Sequence, residues 1–315
     1  HPVARRQPAA GHGVGNRPHL MHLPGPARKL TSPMNPPRRI LLIRPSALGD
    51  VCRTVPLVAS LHAAWPDARI DWMVNAPFTE AVEAHPAVAG VIPFDRRTLG
   101  RSLKRANPGP LAKFIDRLRG GRYDLVIDAQ GLARSAAFAW LTRAPIRVGH
   151  DDAREHGAIP LTHRVHANGT THTVDRMLTL LRPLGVPIRR DMALTAPPRC
   201  VESADRLIET DEPPIVLAPT SIWPGKTWPI ERFVAIADRL LGSGLGPIAV
   251  VGGPNEREHC APLIEPSRPG MIDLVGKTSV GELMAVIQRS RLVVANDSAA
   301  LHIAVGFDRP IVALF

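Results

Sequence analysis

Short apolar runs of strand length alternate with stretches of helix length along most of this chain. The first run, Arg39–Arg44, is continuously apolar between its two terminal arginines, which is typical of a parallel strand with both faces covered by helices. Strands separated by helices in this way predict an α/β fold with doubly wound parallel sheets. The other predicted strands lie near residues 69–74, 90–94, 124–129, 146–149, 215–218, 247–251, 271–274, 292–295 and 310–315.

The alternation divides the chain into two units. Residues 38–189 are predicted to form the first domain and residues 214–315 the second, joined by a proline-rich linker region at 190–213 that contains one helix. Residues 1–37 are rich in Pro, Gly, Arg and His without periodicity, so we expect disorder or a non-native extension ahead of a start at Met34. The last predicted strand reaches the final residue, so we expect the second domain to be truncated. Helices are predicted at 51–65, 132–142, 173–184, 230–241, 256–264, 280–288 and 298–305.

Charge and cysteine content restrict the class of protein. The net charge is +11, but residues 1–39 carry seven of the basic side chains and no acid, which leaves about +4 for the rest. We therefore expect no specific nucleic-acid binding and at most a basic face toward an anionic substrate or a membrane surface. Cys52, Cys200 and Cys260 form no Cys-x-x-Cys pair, which favours a reducing compartment. With no apolar run of about 18 residues, a cytoplasmic protein with peripheral membrane contact is predicted.

Three polar loops each follow a predicted strand. They comprise residues 44–50, 218–229 and 296–302. The carboxyl ends of parallel strands meet at one edge of a sheet, where doubly wound domains bind their ligands. A strand that turns directly into a helix also points backbone N–H groups at its ligand, an arrangement suited to phosphate. Together the loops predict one cleft that binds a phosphorylated substrate.

Four segments of the chain resemble glycosyltransferase family 9, the ADP-heptose:lipopolysaccharide heptosyltransferases. They are RILLIRPSALGDV at 39–51, DAQGLARSA at 128–136, KTWPIER at 226–232 and NDSAALHIA at 296–304. The second segment is most similar to the heptosyltransferase I type, which adds the first heptose to Kdo. The resemblance implies a GT-B fold, in which two Rossmann-like domains face a cleft with the acceptor site on the first domain and the donor site on the second.

The same resemblance implies an activity. The expected reaction is an inverting, metal-independent transfer of heptose from ADP-heptose to a Kdo or heptose acceptor of the lipopolysaccharide inner core, with no cofactor. The expected partners are the nucleotide sugar and a lipid A-Kdo type acceptor at the cytoplasmic face of the inner membrane.

The first loop carries the candidate catalytic base. Asp50 follows the first strand, and a partly desolvated carboxylate there can take the proton of an attacking hydroxyl. The resemblance places Asp50 at the proposed base position of the family. The alternative is an N-cap on a helix that begins at Val51. Gly49 is expected to give the turn its freedom of φ, and Ser46 to bind acceptor hydroxyls.

The second loop carries a candidate phosphate ligand. Lys226 lies among Trp and Pro residues that hold the loop, and a fixed cation stabilises the negative charge of a leaving diphosphate. Thr220 and Ser221 add hydroxyls, and the resemblance assigns this loop to the diphosphate and the donor sugar. The alternative is an exposed surface lysine.

The third loop is expected to complete the donor site. The resemblance assigns Asp297 to the donor sugar, and the N–H groups of Ser298 and Ala299 would meet the phosphates. Most family members have glycine at the position of Ala299, so we expect Ala299 to adopt a helical φ. His302 matches a histidine of the family, and the alternative is a residue that packs the helix.

Three further candidate donor residues follow other strands of the second domain. Glu256 comes after the turn Gly252-Gly253-Pro254-Asn255, where an acid can accept hydrogen bonds from ribose hydroxyls. The alternative for Glu256 is stabilisation of a helix start. Lys277 and Thr278 are expected to border the adenine.

The acceptor side is assigned to polar residues near the fourth strand. Asp128, Gln130 and Arg134 surround its end, and Arg154 lies in the segment DARE at 152–155, which also resembles the family. Kdo and lipid A carry carboxylate and phosphate groups, which guanidinium groups bind well. No metal site is predicted from the histidine trio at positions 163, 166 and 172, because no acid or cysteine nearby in sequence completes it.

Three alternatives to heptose transfer remain at this point. The first is another family 9 glycosyltransferase with a different nucleotide sugar. The second is a dinucleotide-binding oxidoreductase, which needs a Gly-x-Gly-x-x-Gly turn that residues 46–49 do not supply. The third is a basic surface-binding module, which leaves Asp50, Lys226 and Asp297 without a role.

Overall fold

The computed structural model describes residues 35–168, 172–265 and 268–315, and shows two parallel sheets covered by helices. Residues 1–34, and with them most of the predicted extension, lie outside the described residues. In the first sheet the strand order is β3-β2-β1-β4-β5-β6 and every pair is parallel. Its strands are β1 (Arg39–Ile43), β2 (Arg69–Asn75), β3 (Gly90–Phe94), β4 (Leu125–Asp128), β5 (Ile146–His150) and β6 (His163–Val165).

Helices connect these strands and cover both faces of the sheet. Two 3₁₀ turns, Ala76–Ala81 and Thr179–Leu184, complete the first domain. The helices are α1 (Leu48–Arg53), α2 (Val55–Ala64), α3 (Arg96–Lys104), α4 (Gly109–Gly120), α5 (Ala133–Leu141) and α6 (Thr173–Leu178).

The second sheet repeats the plan with the strand order β11-β10-β7-β8-β9, again parallel throughout. Short 3₁₀ turns lie at Pro224–Lys226 and Pro254–Glu256. Its strands are β7 (Ile215–Ala218), β8 (Ile248–Val250), β9 (Met271–Asp273), β10 (Leu292–Asn296) and β11 (Ile311–Leu314). Its helices are α7 (Pro198–Ile208), α8 (Ile230–Gly242), α9 (Arg257–Ile264), α10 (Val280–Arg289) and α11 (Ala299–Gly306).

The continuous apolar runs are explained by burial on both faces. Leu41 and Leu42 are neighbours in β1, yet they belong to different clusters, because successive strand side chains point to opposite faces. One cluster contains three aromatic rings, Phe94, Phe114 and Phe138, whose centroids lie 5.2–5.8 Å apart. The other cluster continues from the first domain into the second, so the domains share apolar contacts.

The structure corrects several element predictions. The helix predicted at 51–65 is two helices, α1 and α2, because Pro56 has no N–H to donate to the carbonyl oxygen of Cys52, so the helical hydrogen bonds are interrupted at Thr54. The segment predicted as a helix at 173–184 is α-helical only to Leu178 and continues as a 3₁₀ turn around Pro183. Helices α3 and α4 and the edge strand β6 were absent from the prediction.

A second contact joins the domains away from the strand ends. Glu80, in the 3₁₀ turn of the first domain, accepts a hydrogen bond of 2.8 Å from the N–H of Gly281 in the first turn of α10. Arg199 of α7 donates to the other oxygen of Glu80 at 3.2 Å and pairs with Glu83 at 2.5 Å. The carboxylate therefore serves as a helix cap supplied by the opposite domain.

Among the helices of the described ranges, none has both the length and the apolar character needed to cross a bilayer.

Candidate active site

Both sheets reverse their strand order at one point, and the predicted site residues lie beside these two points. In the first sheet the order reverses between β1 and β4, and in the second between β7 and β10. The loops that follow adjacent strands at a reversal diverge and leave a crevice at the carboxyl edge, which is where open α/β sheets bind ligands.

Asp50 is the third residue of α1, whose N-cap is Ala47. Asp50 is therefore not the N-cap of a helix starting at Val51, because the helix begins three residues earlier, but its carboxylate still caps α1 by accepting the N–H of Ala47. One carboxylate oxygen lies 2.7 Å from Nη2 of Arg44 and accepts the N–H of Ala47 at 3.4 Å, while the other contacts Nη2 of Arg53. Burial opposes ionisation of Asp50, but the two guanidinium groups outweigh it and hold the pKa below its usual value.

Arg44 is the buried partner of this carboxylate. Its Nη1 donates to the carbonyl oxygen of Ala129, in the loop after β4, so it ties together the two loops at the reversal. Burial lowers the pKa of Arg44, and the Asp50 carboxylate acts against this shift. Removing the charge of Asp50 would leave a buried guanidinium without its counter-ion.

Asp128 organises the loop after β4. One of its oxygens accepts the N–H groups of Gln130 (3.0 Å) and Gly131 (3.2 Å), and the other accepts the hydroxyl of Ser135 at 2.9 Å. Burial raises the pKa of Asp128 to about 6. Because both oxygens already serve its own loop, the geometry favours a positioning role over direct contact with an acceptor.

Gln130 and two arginines lie around the same loop. Oε1 of Gln130 accepts the N–H of Ser46 at 3.2 Å, which joins the two candidate acceptor segments. The N–H of Arg154 donates to the carbonyl oxygen of Gly131 at 3.0 Å. Arg134 and Arg154 are both exposed, so their guanidinium groups are accessible to an anionic ligand.

The loop after β7 is joined to the end of β10. Lys226 forms an ion pair with Asp297, which lowers the pKa of that carboxyl group. The hydroxyl of Ser221 donates to the Asp297 carbonyl oxygen at 3.0 Å, and Oδ1 of Asn296 accepts the N–H of Trp228 at 3.0 Å. Lys226 is half exposed but held by its partner, so it differs from a solvated surface lysine. Thr220 is buried at the start of this loop.

Helix α11 starts at this ion pair. Ser298 is its N-cap, and its buried hydroxyl oxygen has no hydrogen-bond partner among the described residues. Ala299 is the first helical residue and has no positive φ, so the expected helical backbone is confirmed and the glycine of other family members is not needed here. The unpaired N–H groups of the first turn are available to a phosphate.

His302 lies one turn further along α11. Its Nε2 is 3.9 Å from Oδ1 of Asp297. Burial, together with the nearby charge of Arg53, lowers the pKa of His302 to about 4, although Asp297 and Asp50 act in the opposite direction. The imidazole is therefore neutral at pH 7, and it can donate or accept a hydrogen bond without carrying charge.

Glu256 and Thr278 lie at the same edge of the second sheet. Oε2 of Glu256 accepts the N–H of Gly253 at 2.5 Å, which gives this acid a role in the turn that starts α9. Thr278 lies in the segment between β9 and α10, next to Lys277, which pairs with Asp273 at 2.8 Å. Ribose and adenine contacts for these residues stay predictions.

The two halves of the site meet where α1 packs against α11. A Cβ atom built on Gly49 would lie 2.5 Å from Cδ2 of His302. Gly49 has no positive φ, so the expectation that it supplies backbone freedom is wrong. Glycine is required because the imidazole of the second domain occupies the space of a side chain.

Replacement of Gly49 by alanine tests this contact. The added methyl group must rotate the imidazole or separate the two helices, and a displacement of about 1 Å in a catalytic site lowers activity by about 100-fold. We expect turnover of the Gly49→Ala variant to fall by about 10- to 100-fold. The same substitution in a His302→Ala background should cost much less. Equal losses in both backgrounds would show that the imidazole contact is unimportant.

Two arginines of the site were not singled out from sequence. Arg44 ends the first apolar run, and Arg53 is three residues after Asp50. A positive charge next to a buried strand requires a counter-ion, and residues three apart face each other on a helix. These two signals would have identified both residues.

Across residues 35–168, 172–265 and 268–315, no three His, Cys, Asp or Glu side chains come together in an arrangement that could hold a metal ion. His166 pairs with Asp151 at 3.1 Å.

Two Rossmann-like domains that present polar strand ends to one cleft define the GT-B class of glycosyltransferases. The family model described as "Glycosyltransferase family 9 (heptosyltransferase)" matches residues 111–315. This chain belongs to glycosyltransferase family 9 and is a glycosyltransferase. The match removes the oxidoreductase and surface-binding alternatives.

Relatives and solved structures agree with the family assignment. Lipopolysaccharide heptosyltransferase 1 of Pseudomonas aeruginosa is 31% identical over 291 residues, which cover 88% of this chain and 78% of that protein. The corresponding enzyme of Escherichia coli K12 is 28% identical and covers 88% and 87%. The structure of E. coli heptosyltransferase WaaC with ADP-2-deoxy-2-fluoro heptose superposes with a TM-score of 0.73 at 26% identity, covering 87% of this chain and 88% of that one. The predicted GT-B fold is confirmed.

Proposed function

We propose that this protein transfers heptose from ADP-heptose to a Kdo or heptose residue of the lipopolysaccharide inner core, with inversion and without a metal ion. The observation that carries the proposal is that Asp50 of one domain and the Lys226–Asp297 pair of the other lie at the strand-order reversals of the two domains, which meet through α1 and α11. The relatives named above supply the sugar and the nucleotide.

In the proposed reaction the acceptor hydroxyl oxygen attacks the anomeric carbon of heptose. The bond from that carbon to the β-phosphate oxygen breaks, and ADP leaves. Asp50 takes the hydroxyl proton. Its low pKa makes it a weak base for a free alcohol, but the hydroxyl becomes acidic as the new bond forms, so the carboxylate can accept the proton late in the step. A single displacement of this kind inverts the anomeric configuration.

The second domain stabilises the leaving group in this proposal. Lys226, the hydroxyls of Thr220 and Ser221 and the first-turn N–H groups of α11 bind the diphosphate, where charge increases as the bond breaks. The unsatisfied Ser298 hydroxyl is directed to the same region by its position at the N-cap. Asp297 binds the sugar, and Glu256 and Thr278 bind the adenosine.

The acceptor side is built from the first domain. Arg134 and Arg154 are proposed to bind the carboxylate of Kdo or a lipid A phosphate, and Ser46, Gly49 and Gln130 the acceptor hydroxyls. Asp128 shapes the loop after β4 that carries Gln130. We propose that the enzyme works peripherally at the cytoplasmic face of the inner membrane, because its acceptor is anchored in lipid.

Calorimetric titration and product analysis test the proposal. ADP and ADP-heptose should bind in buffer with EDTA, and NAD should not. With a Kdo-lipid A acceptor and ADP-heptose, release of ADP should continue in EDTA, and the product should carry heptose with the anomeric configuration opposite to that of the donor. Retention of configuration, or activity that returns only with added divalent metal, would contradict the mechanism. Transfer of a different sugar from its nucleotide in preference to heptose would contradict the substrate assignment.

A further inference from the structure

Asp50 is paired with two arginines, one more than a single carboxylate requires for charge compensation. Arg44 is buried and also bonded to the Ala129 carbonyl oxygen, so its position is fixed by two loops. Arg53 is the second guanidinium partner, and a quarter of its side chain is exposed. A single arginine is sufficient to compensate one carboxylate. Arg53 can therefore move away from Asp50 while the carboxylate stays paired with the buried guanidinium of Arg44.

Arg53 also faces the opposite domain. It is the last residue of α1, the helix that packs on α11. Its charge lowers the pKa of both Asp297 and His302 in the second domain. Its Nε atom is buried and has no hydrogen-bond partner among the described residues. The guanidinium thus lies between the acid of the first domain and the donor side of the second, with a donor atom unused.

The cleft lacks positive charge for a diphosphate if Arg53 stays with Asp50. Lys226, the cation of the donor loop, is already paired with Asp297, and His302 is neutral at pH 7. A nucleoside diphosphate sugar brings two negative charges. Arg53 lies in α1, beside α11, and is not the sole partner of its carboxylate, since Asp50 is also paired with Arg44.

We propose that Arg53 exchanges partners during the reaction, leaving Asp50 in the free enzyme to bind the donor diphosphate when the nucleotide sugar is present. This inference rests on the proposed function. A guanidinium suits the exchange because it binds carboxylate and phosphate with the same fork of N–H donors.

The exchange has a consequence for the base. The charged groups that act on Asp50 are Arg44 and Arg53 in its own domain, and the neutral imidazole of His302 faces it from the second domain. Asp297 interacts with Arg53 and His302. When Arg53 moves to the diphosphate, Asp50 keeps one guanidinium instead of two, and its carboxylate becomes a stronger proton acceptor. The base is then strengthened only when the donor is in place.

The test is a double-mutant cycle with ADP as the titrated ligand. We expect Arg53→Met to weaken ADP binding by about 10-fold or more, and Arg53→Lys to restore most of the affinity because it keeps the charge. Asp50→Asn should tighten ADP binding severalfold in the wild-type background, because it releases Arg53. In the Arg53→Met background the same substitution should bring a smaller gain, since only general charge repulsion is removed. Arg119→Met, on an exposed face of α4, serves as the matched control.

The outcomes separate this inference from the proposed function. If the wild-type protein does not bind ADP, the proposed function fails. If the wild type binds ADP but Arg53→Met binds it equally well, or the Asp50→Asn gain is the same in both backgrounds, the exchange fails alone. Thermal unfolding of each variant identifies a loss of folded protein. If Arg53→Met does not fold, the ADP affinities of Arg53→Lys and Arg53→Gln are compared instead. Only the lysine variant should then bind ADP nearly as tightly as the wild type.

Discussion

Replacement of Asp50 by asparagine is expected to lower kcat by about 10²- to 10⁴-fold, the usual contribution of a general base. Asparagine has nearly the shape of aspartate and keeps an oxygen that can accept hydrogen bonds from Arg44 and from the N–H of Ala47. The fold and the donor site should therefore survive, and ADP should bind at least as tightly as to the wild type. Steady-state release of ADP with donor and acceptor measures the loss.

Asp50→Ala provides the comparison. Both substitutions remove the counter-ion of the buried Arg44 and should lower the unfolding temperature, but alanine also removes the hydrogen-bond acceptor, so Asp50→Ala should be the less stable of the two. Near-normal turnover in the asparagine variant would reduce Asp50 to a structural residue of α1. If Asp50→Asn lost ADP affinity by the same factor as turnover, Asp50 would act on the donor and not on the acceptor hydroxyl.

Replacement of Lys226 by alanine should affect both binding and chemistry. The ammonium group is positioned by Asp297. Under the proposed function it stabilises a leaving diphosphate, and removal of one such group lowers kcat by about 10²- to 10³-fold. ADP affinity should fall as well, because the diphosphate is present in the ground state. The measurements are calorimetric titration with ADP and initial rates at saturating donor.

Lys113→Ala is the control for Lys226, since Lys113 is an exposed lysine on α4 of the first domain. It should leave ADP affinity and turnover unchanged. The Lys226→Ala result should also be partly reversed by Asp297→Asn if the main effect is the uncompensated Asp297 charge next to the phosphates. Unchanged ADP affinity in Lys226→Ala would identify this residue as an ordinary surface lysine.

Much of the fold was predictable because its signals are local. A continuous apolar run such as Arg39–Ile43 is readable as a covered parallel strand, and all of the predicted strands exist with shifts of one or two residues at their ends. Helices α3 and α4 were not identified. α3 is rich in Arg and Lys, and its side chains are mostly exposed, so an apolar face contributes little to its pattern. The three-residue strand β6 at the edge of its sheet gives an equally weak signal.

The site was predictable only in part for a different reason. Asp50, Lys226 and Asp297 follow strands, so the topology of parallel sheets predicts their position at the carboxyl edge. The pairing of Arg44 with Asp50 across a tight turn depends on how that turn folds. The contact of Gly49 with His302 joins residues 253 positions apart in different domains. Local patterns in a single sequence carry no information about contacts between such distant residues.

Under the proposed function, we expect the close approach of Gly49 and His302 to make the binding of the two substrates thermodynamically dependent. A donor-induced shift of α11 should change the free energy of the α1 turn, which holds proposed acceptor residues. The coupling free energy is shared, so acceptor must change the affinity for donor by the same factor by which donor changes the affinity for acceptor. Ordered or cooperative substrate binding in this enzyme would therefore depend on position 49, where only the hydrogen atom of glycine fits beside the imidazole of His302.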